Sequence, residues 1–224
     1  LNATLRGANT HKWFSPTRFA TLSPTWYYTL LSYLLAGIVR LHGESYPFPE
    51  VVTMDDPSPI ARWIVKTVQE HGSCLLVMTV SKALRLCIVA HEQGLDLTGA
   101  VIVVGGEPST DIKIKTIEAS GARHVSQYSF TEAGAVAIPC MNKKSIDDMH
   151  FMSNHMAMIQ RPIAVHDQTV DAICLTTLMP LSPKTLLNAQ TDDFGIVETR
   201  DCGCPLHDLG LERHVYNVRS YRKL

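Results

Sequence analysis

The sequence predicts an α/β fold: a parallel sheet with helices on both faces, joined to a smaller, mostly antiparallel β subdomain. Three observations carry this expectation. Between residues 58 and 128, short and uniformly apolar runs alternate with helical segments, as strands buried in a parallel sheet require. Glycines stand where those helices should stop, at Gly72, Gly94 and Gly121. After residue 150 the chain turns to short extended segments separated by turn residues. The expected division is a parallel α/β subdomain over 1–150 and a β-rich subdomain over 151–224, two parts of one structural unit with no repeats and no low-complexity linker.

Taken in order, the first element is an apolar stretch. Phe19 to Val39 carries no charge and approaches the length of a membrane-crossing helix. Pro24 interrupts it, and the continuous part from Trp26 to Val39 is 14 residues long, which fits a buried core helix. The opening LNATLRGANTHKW lacks the charged-then-apolar pattern of a signal peptide. Ser58, with Pro59 at the first helical position, opens a helix through IARWIVKTVQEHG. CLLVMTV (74–80), VIVVGG (101–106) and HVSQY (124–128) read as strands, and SKALRLCIVAHEQG and PSTDIKIKTIEASG as the helices between them. Further on, MAMIQ, AVHDQTVDAICLTTL, KTLLNAQ, DFGIVETRD and RHVYNVRS read as an antiparallel sheet or small barrel.

Composition removes several classes. The 224 residues are 46% hydrophobic and 18% charged, with a formal net charge of −1. That balance gives no electrostatic footprint for nucleic acid or anionic lipid, so neither nucleic acid nor membrane is an expected partner. Six scattered cysteines do not make a disulfide scaffold. Cys202 and Cys204 are too near in sequence to bridge each other easily, so a reducing, cytoplasmic setting is expected. A dinucleotide-dependent oxidoreductase is disfavoured because no Gly-x-Gly-x-x-Gly follows a strand.

In an open α/β sheet, ligands bind at the carboxyl ends of the strands, and three segments fall at such ends. GGEPST (105–110) offers two glycines for close backbone approach and a helix N-terminus that favours an anion; it also reads as a plain turn. In QYSFTEAG (127–134), Tyr128 can lie flat on a planar ligand, Thr131 can reach a phosphate, and Glu132 is a hard oxygen ligand for Mg²⁺. The same residues also read as a helix start capped by Thr131. In QTDDFG (190–195), the aspartates can hold ribose hydroxyls or can form a hairpin turn. A separate feature is Cys202-Gly203-Cys204, a compact thiolate pair of the kind Zn²⁺ selects, with Cys140 and His150 as candidate partners and His155, His207 and His214 as substitutes. Cys74, Cys87 and Cys174 sit inside apolar runs and are expected in the core.

GGEPST, YSFTEAG and TDDFG, in that order, resemble the adenylate-forming superfamily of acyl-CoA synthetases, luciferases and peptide-synthetase adenylation domains. The branch it most resembles is the phenylacetate–CoA ligase type, which is related to acyl-protein synthetases and to adenylating enzymes of phenazine antibiotic biosynthesis. The resemblance spans roughly residues 60 to 220 and implies a partial N-terminal domain of that family. It implies ATP-dependent activation of an aryl or acyl carboxylic acid as an acyl-adenylate, then transfer to a thiol of CoA or of a carrier protein, in a protein that is often a homodimer. Gly106, Glu107 and Pro108 would lie near adenine, Tyr128 would stack on it, and Asp193 would hold the ribose. Thr131 would contact the α-phosphate, Glu132 would bind Mg²⁺, and Arg219, or Arg222, would contact the same nucleotide. Asp192 stands where the family usually has glycine. The resemblance also implies that Cys140, His150, Cys202 and Cys204 form one structural zinc site joining the two subdomains. No glycine-dense phosphate loop ending in lysine occurs in residues 1–60, where Gly7 and Lys12 are the nearest match, and the lysine-bearing C-terminal domain would begin near residue 224. The chain is therefore expected to hold the AMP-binding core, with a non-catalytic, zinc-stabilised binding module as the alternative.

Overall fold

The computed structural model describes residues 11–15, 26–43, 45–180, 182 and 184–224. The expectations placed on residues 1–10 and 19–25, including Gly7 and Pro24, lie outside them.

The first described strand, β1 (Trp13–Ser15), pairs in parallel with β2 (Pro49–Val51) as a two-stranded sheet. Between them runs α1 (Trp26–Leu41), the apolar helix. It forms where expected but is not buried. Only Thr29 and Ala36 are shielded, while Tyr28, Leu31, Leu34 and Ile38 are each more than half exposed. Its apolar residues run all round the helix, so the contacts it makes, among them the Tyr33 hydroxyl donating to the Pro49 carbonyl at 3.2 Å and the Tyr33 ring stacking on Phe48, leave most of that surface uncovered.

The parallel part follows. Helix α2 (Ser58–His71), β3 (Cys74–Thr79), α3 (Val80–Glu92), β4 (Ala100–Gly105), α4 (Asp111–Glu118) and β5 (Arg123–Ser126) form the alternating unit that the sequence predicted. The strands order β3-β4-β5, all parallel, and their carboxyl ends lie level, with Thr79 opposite Gly105 and Val104 opposite Ser126. Helix α2 starts one residue earlier than capping by Ser58 would allow. Ser58 is its first residue, and the Ser58 N–H donates to Asp56 Oδ1 at 3.1 Å. Helices α2, α3 and α4 share one apolar cluster with Cys74, Ala100, Ile102 and Val104, alternate residues of β3 and β4. On the opposite face Leu75 and Val77 are 45% and 59% exposed. Among the described residues, helices thus cover one face of the sheet, whereas uniform apolarity in the strands suggests cover on two.

The rest of the chain builds a seven-stranded sheet ordered β6-β7-β8-β12-β11-β10-β9, with every neighbour antiparallel. Its strands are β6 (Tyr128–Phe130), β7 (Gly134–Pro139), β8 (Met149–Phe151), β9 (Met156–Val165), β10 (Gln168–Thr177), β11 (Ala189–Thr199) and β12 (Arg213–Ser220). A one-turn helix, α5 (Pro205–Asp208), precedes β12, and a 3₁₀ turn, Tyr221–Lys223, follows it. Among the described residues this is the largest of the three sheets, because it takes in β6–β8 as well as the later strands. Val136, Phe151, Met158, Ile173, Leu175 and Val215 centre its core.

Candidate functional site

The carboxyl edge of the parallel sheet faces β11 and β12 across a cleft of about 600 Å³. Strand β4 delivers Gly105-Gly106-Glu107-Pro108 to one wall, and β6, which directly follows β5, delivers Tyr128. A Cβ on Gly105 would stand 2.8 Å from the Gln127 carbonyl oxygen, and Gly106 has φ +74°. The first contact needs the absence of a side chain and the second needs the left-handed backbone that glycine adopts freely. Glu107 turns toward α3: its Oε2 accepts the Ser81 N–H at 3.0 Å and the Ser81 hydroxyl. Burial pushes this carboxyl up, but the Ser81 bonds outweigh it and hold Glu107 below the ordinary glutamate range.

The opposite wall carries the aspartates. The Tyr128 hydroxyl donates to Asp193 Oδ2 at 2.8 Å, joining segments 65 positions apart. Burial, the Asp193 charge and this bond all push Tyr128 well above the usual phenol range. Burial also raises Asp193, and Asp192 adds to the rise, while the Tyr128 bond and Lys223 pull it down. Arg219 Nη2 donates to the Ser109 carbonyl at 2.9 Å, and Nη1 donates to Asp147 Oδ2 at 3.1 Å. Arg219 thus links the loop between β4 and α4 to the antiparallel sheet. Arg222 pairs with Asp192 at 2.9 Å on the surface and is not among the residues lining the cleft.

Of the residues singled out in the sequence, the structure brings Gly106, Glu107, Pro108, Tyr128, Glu132, Asp193 and Arg219 to this one cleft. Thr131 does not line it. Thr131 is exposed in the turn Thr131–Ala133 that joins β6 to β7, so the segment is a hairpin and not the capped helix that the same letters allow. Asp192 and Asp193 lie within β11 rather than in a hairpin turn. Trp26, Tyr27, Tyr28 and Tyr33, the aromatics of α1, line neither of the two large cavities.

The second constellation is built on strands β8 and β12 and on the loops that follow β7 and β11. Ligand atoms of Cys140, His150, Cys202 and His214 all lie within 4.8 Å of one another. Cys204 joins them: His150 Nε2 faces its sulfur at 3.1 Å and that of Cys202 at 3.5 Å. The four donors expected from the sequence are therefore together, and His214 is a fifth. Strand register explains the meeting, since His150 on β8 pairs directly with His214 on β12. His150 Nδ1 donates to the Leu211 carbonyl at 2.5 Å, which leaves Nε2 as a lone pair toward the sulfurs. His214 Nδ1 donates to Asp148 Oδ1 at 2.8 Å, and among the described residues its buried Nε2 has no hydrogen-bond partner. Asp148 is itself held by the Lys144 N–H at 2.7 Å and by Arg200. Burial leads in raising the Cys140 thiol to about 12. Burial also acts on Cys204, but bonds from Cys202 and from the N–H groups of Leu206, His207 and Met141 prevail and bring it down to about 6. An unpartnered imidazole nitrogen, a carboxylate behind it, and three thiols suit a tetrahedral zinc ion. Asp147, Asp148 and His214 gain their roles only through pairing of distant strands; the DDMH run and His214 were the signals available in sequence.

No family model matches the chain, and no curated protein matches it. Several solved structures have a similar fold at low identity. The luciferase-like enzyme from the nonluminescent mealworm Zophobas morio is 14% identical with a TM-score of 0.44, over 82% of this chain and 44% of that one. E. coli MenE with a bound m-phenylether-linked analogue of OSB-AMS is 11% identical with a TM-score of 0.41, over 95% and 42%. The N-terminal domain of FACL13 from Mycobacterium tuberculosis is 13% identical with a TM-score of 0.42, over 97% and 54%. The chain spans about half or less of the length of each, and likeness at this level does not extend to function. Among the described residues, no helix is long and apolar enough to cross a membrane.

Proposed function

We propose that this chain is the nucleotide-holding core of an acid-activating, adenylate-forming ligase of the phenylacetate–CoA ligase-like branch. One observation carries the reading: GGEP, the tyrosine of YSFTE, the aspartate of TDD and Arg219, scattered over more than a hundred positions, line one cleft. Tyr128 presents its ring to adenine between Gly106, Glu107 and Pro108. Asp193 has one oxygen occupied by Tyr128 and keeps Oδ1 for a ribose hydroxyl. Thr131, on the hairpin rim, and Glu132 serve the phosphate and Mg²⁺. In the reaction a carboxylate oxygen of the acid bonds to the α-phosphorus of ATP as the bond to pyrophosphate breaks. The acyl-adenylate then passes its acyl group to a thiol, of CoA or of a carrier protein, and AMP leaves. Mg²⁺ would supply charge neutralisation of the phosphates. Arg219 holds the two walls at a fixed distance.

Zn²⁺ would be held by Cys140, His150, Cys202 and Cys204, with His214 as a further donor, and would supply a cross-link between β7, β8, β12 and the 202–204 loop. Such thiols suit a reducing, cytoplasmic setting. The second reading, a zinc-stabilised binding module that retains the fold without catalysis, draws support from the burial of this Cys/His cluster and from Thr131 lying outside the cleft. ATP–pyrophosphate exchange with a panel of aryl and acyl acids separates the two. Acid-dependent exchange by the folded, zinc-loaded protein supports the ligase; no exchange across the panel, with AMP still bound, supports the module.

A further inference from the structure

The run Asp147-Asp148-Met149-His150 faces two ways. Asp147 and Met149 line the cleft, whereas Asp148 and His150 turn to the cysteine and histidine cluster. That period of two is what a chain shows as it enters a strand, here β8, because successive side chains leave on opposite sides. Strand β12 divides in the same way along its length: His214 belongs to the cluster, while Val218, Arg219 and Ser220 line the cleft. The two strands pair antiparallel, with His150 opposite His214 and Met149 opposite Val215. Each strand therefore touches both sites.

Side-chain bonds tie the strands together at both ends. At the cluster, His214 Nδ1 donates to Asp148 Oδ1 at 2.8 Å, and Arg200 and the Lys144 N–H occupy Oδ2. The Cys140 N–H donates to the Asp148 carbonyl at 3.2 Å, so two residues of the cluster bond to this one aspartate. At the cleft, Asp147 Oδ2 accepts Arg219 Nη1 at 3.1 Å, and Oδ1 accepts the Asn217 N–H at 3.0 Å. Asn217 has φ +55°, a left-handed conformation that few residues with a side chain adopt, and the bond to Asp147 helps to hold it there. Asp147 and Asp148 are only 4% and 1% exposed, so each takes its bonds from these groups. One peptide bond separates them, and a shift of Asp148 carries Asp147 with it.

We propose that metal occupancy of the cluster sets the position of Arg219 in the cleft, with Asp148 and Asp147 as the positioning residues between them. With Nε2 of His214 bound to a metal, the ring is fixed and Nδ1 keeps its proton on Asp148. Without a metal, that buried nitrogen has no partner among the described residues, and the ring gains by turning to find one, which releases Asp148. Asp147 then loosens and no longer holds Arg219 against the Ser109 carbonyl. Coupling between two sites is reciprocal, so the cleft end acts on metal affinity by the same route. The metal end rests on the zinc reading above, and the effect on a nucleotide rests also on the acid-activating one.

The first test leaves the nucleotide out. Zinc affinity is measured by chelator competition on the whole chain, with circular dichroism following the fold. Arg219→Ala, which removes a side chain bonded to none of the cluster's donors, should bind zinc about tenfold more weakly, within the roughly 5–150-fold range usual for coupled sites. Asp147→Asn should do the same, and Arg219→Lys, the milder change, should fall between. Leu86→Ala truncates a buried side chain of the parallel unit at a comparable or larger cost in stability, and should hold zinc within about twofold of wild type. Unchanged zinc affinity in the Arg219 and Asp147 variants would overturn the proposal. So would an equal fall in Leu86→Ala, which would trace the loss to global stability, and so would a folded wild type that binds no zinc. The second test keeps a metal in place: Co²⁺ replaces zinc, and its thiolate absorption band is followed as AMP with Mg²⁺ is added. The band should shift in wild type and stay still in Asp147→Asn. AMP that binds by calorimetry without moving the band, or a shift that persists in Asp147→Asn, overturns the coupling and keeps the nucleotide reading. Absence of AMP binding, with the zinc affinities as expected, keeps the coupling and removes the acid-activating reading.

Discussion

Replacing Arg219 by alanine should loosen the junction on which the cleft depends. The guanidinium makes three bonds, to the Ser109 carbonyl at 2.9 Å, to Asp147 Oδ2 at 3.1 Å, and to the Val218 carbonyl at 2.7 Å. Removing one partner of a buried ion pair typically costs about 3–5 kcal/mol, because the other charge is stranded. Asp147 is only 5% exposed, but it is not stranded. It still accepts the Asn217 N–H at 3.0 Å and the Ser145 hydroxyl at 3.1 Å, and Arg219 is 31% exposed, so solvent screens part of the attraction. The loss therefore falls below that range, at about 2–3 kcal/mol, or roughly 5–10 °C in the melting temperature of a chain this size. Circular dichroism melts of Arg219→Ala, Asp147→Ala and the double variant measure it. The double variant should melt within about 2 °C of the weaker single one, since both remove the same pair. Arg219→Lys should recover less than half the loss, because one ammonium cannot span Ser109 and Asp147 together. A fall below about 1 °C for Arg219→Ala, or fully additive losses, would refute the reasoning.

Two further outcomes follow from the site. Asp148→Asn weakens the carboxylate behind His214, so zinc affinity in chelator competition should fall about 10–100-fold, and His214→Ala should lower zinc content as well; unchanged affinity, or a wild-type chain purified with less than about half an equivalent of zinc, would contradict the metal site. For Asp193, burial raises the folded-state pKa above its ordinary value of 3.8, so its contribution to stability is present at low pH and lost as pH rises through the raised value. Asp193→Asn should accordingly be no less stable than wild type at pH 7, while AMP affinity of the wild type should fall on acidification with a midpoint above 3.8; a midpoint at or below 3.8 would count against a buried Asp193.

The parallel unit was legible because its signals are local. Gly72, Gly94 and Gly121 adopt the left-handed conformation with φ of +79°, +65° and +88°, and each ends a helix within a few residues of where the letters placed it. Thr131 and Glu132 were ambiguous, since a threonine before a glutamate reads alike at a helix cap and in a hairpin; pairing of Phe130 with Gly134 decides for the hairpin. KTLLNAQ read as a strand, yet β11 begins only at Ala189, because the Thr176 and Thr177 hydroxyls take the N–H groups of Asn188 and Leu186 at 2.8 and 3.0 Å. The exposure of α1 was hidden for a different reason: an apolar run shows that a helix is to be covered, not what covers it. His214 and Asp148 were illegible as partners because their meeting depends on the pairing of β12 with β8, and Asp148 lies 66 positions from His214.

The most direct measurement is calorimetric titration of AMP with Mg²⁺ into the zinc-loaded chain and into Tyr128→Ala and Asp193→Ala. Saturable binding by the wild type, at least tenfold weaker in both variants, is the predicted result. Equal heats for all three proteins, or no binding by a folded wild type, would contradict the claim that GGEP, Tyr128, Asp193 and Arg219 together form a nucleotide site.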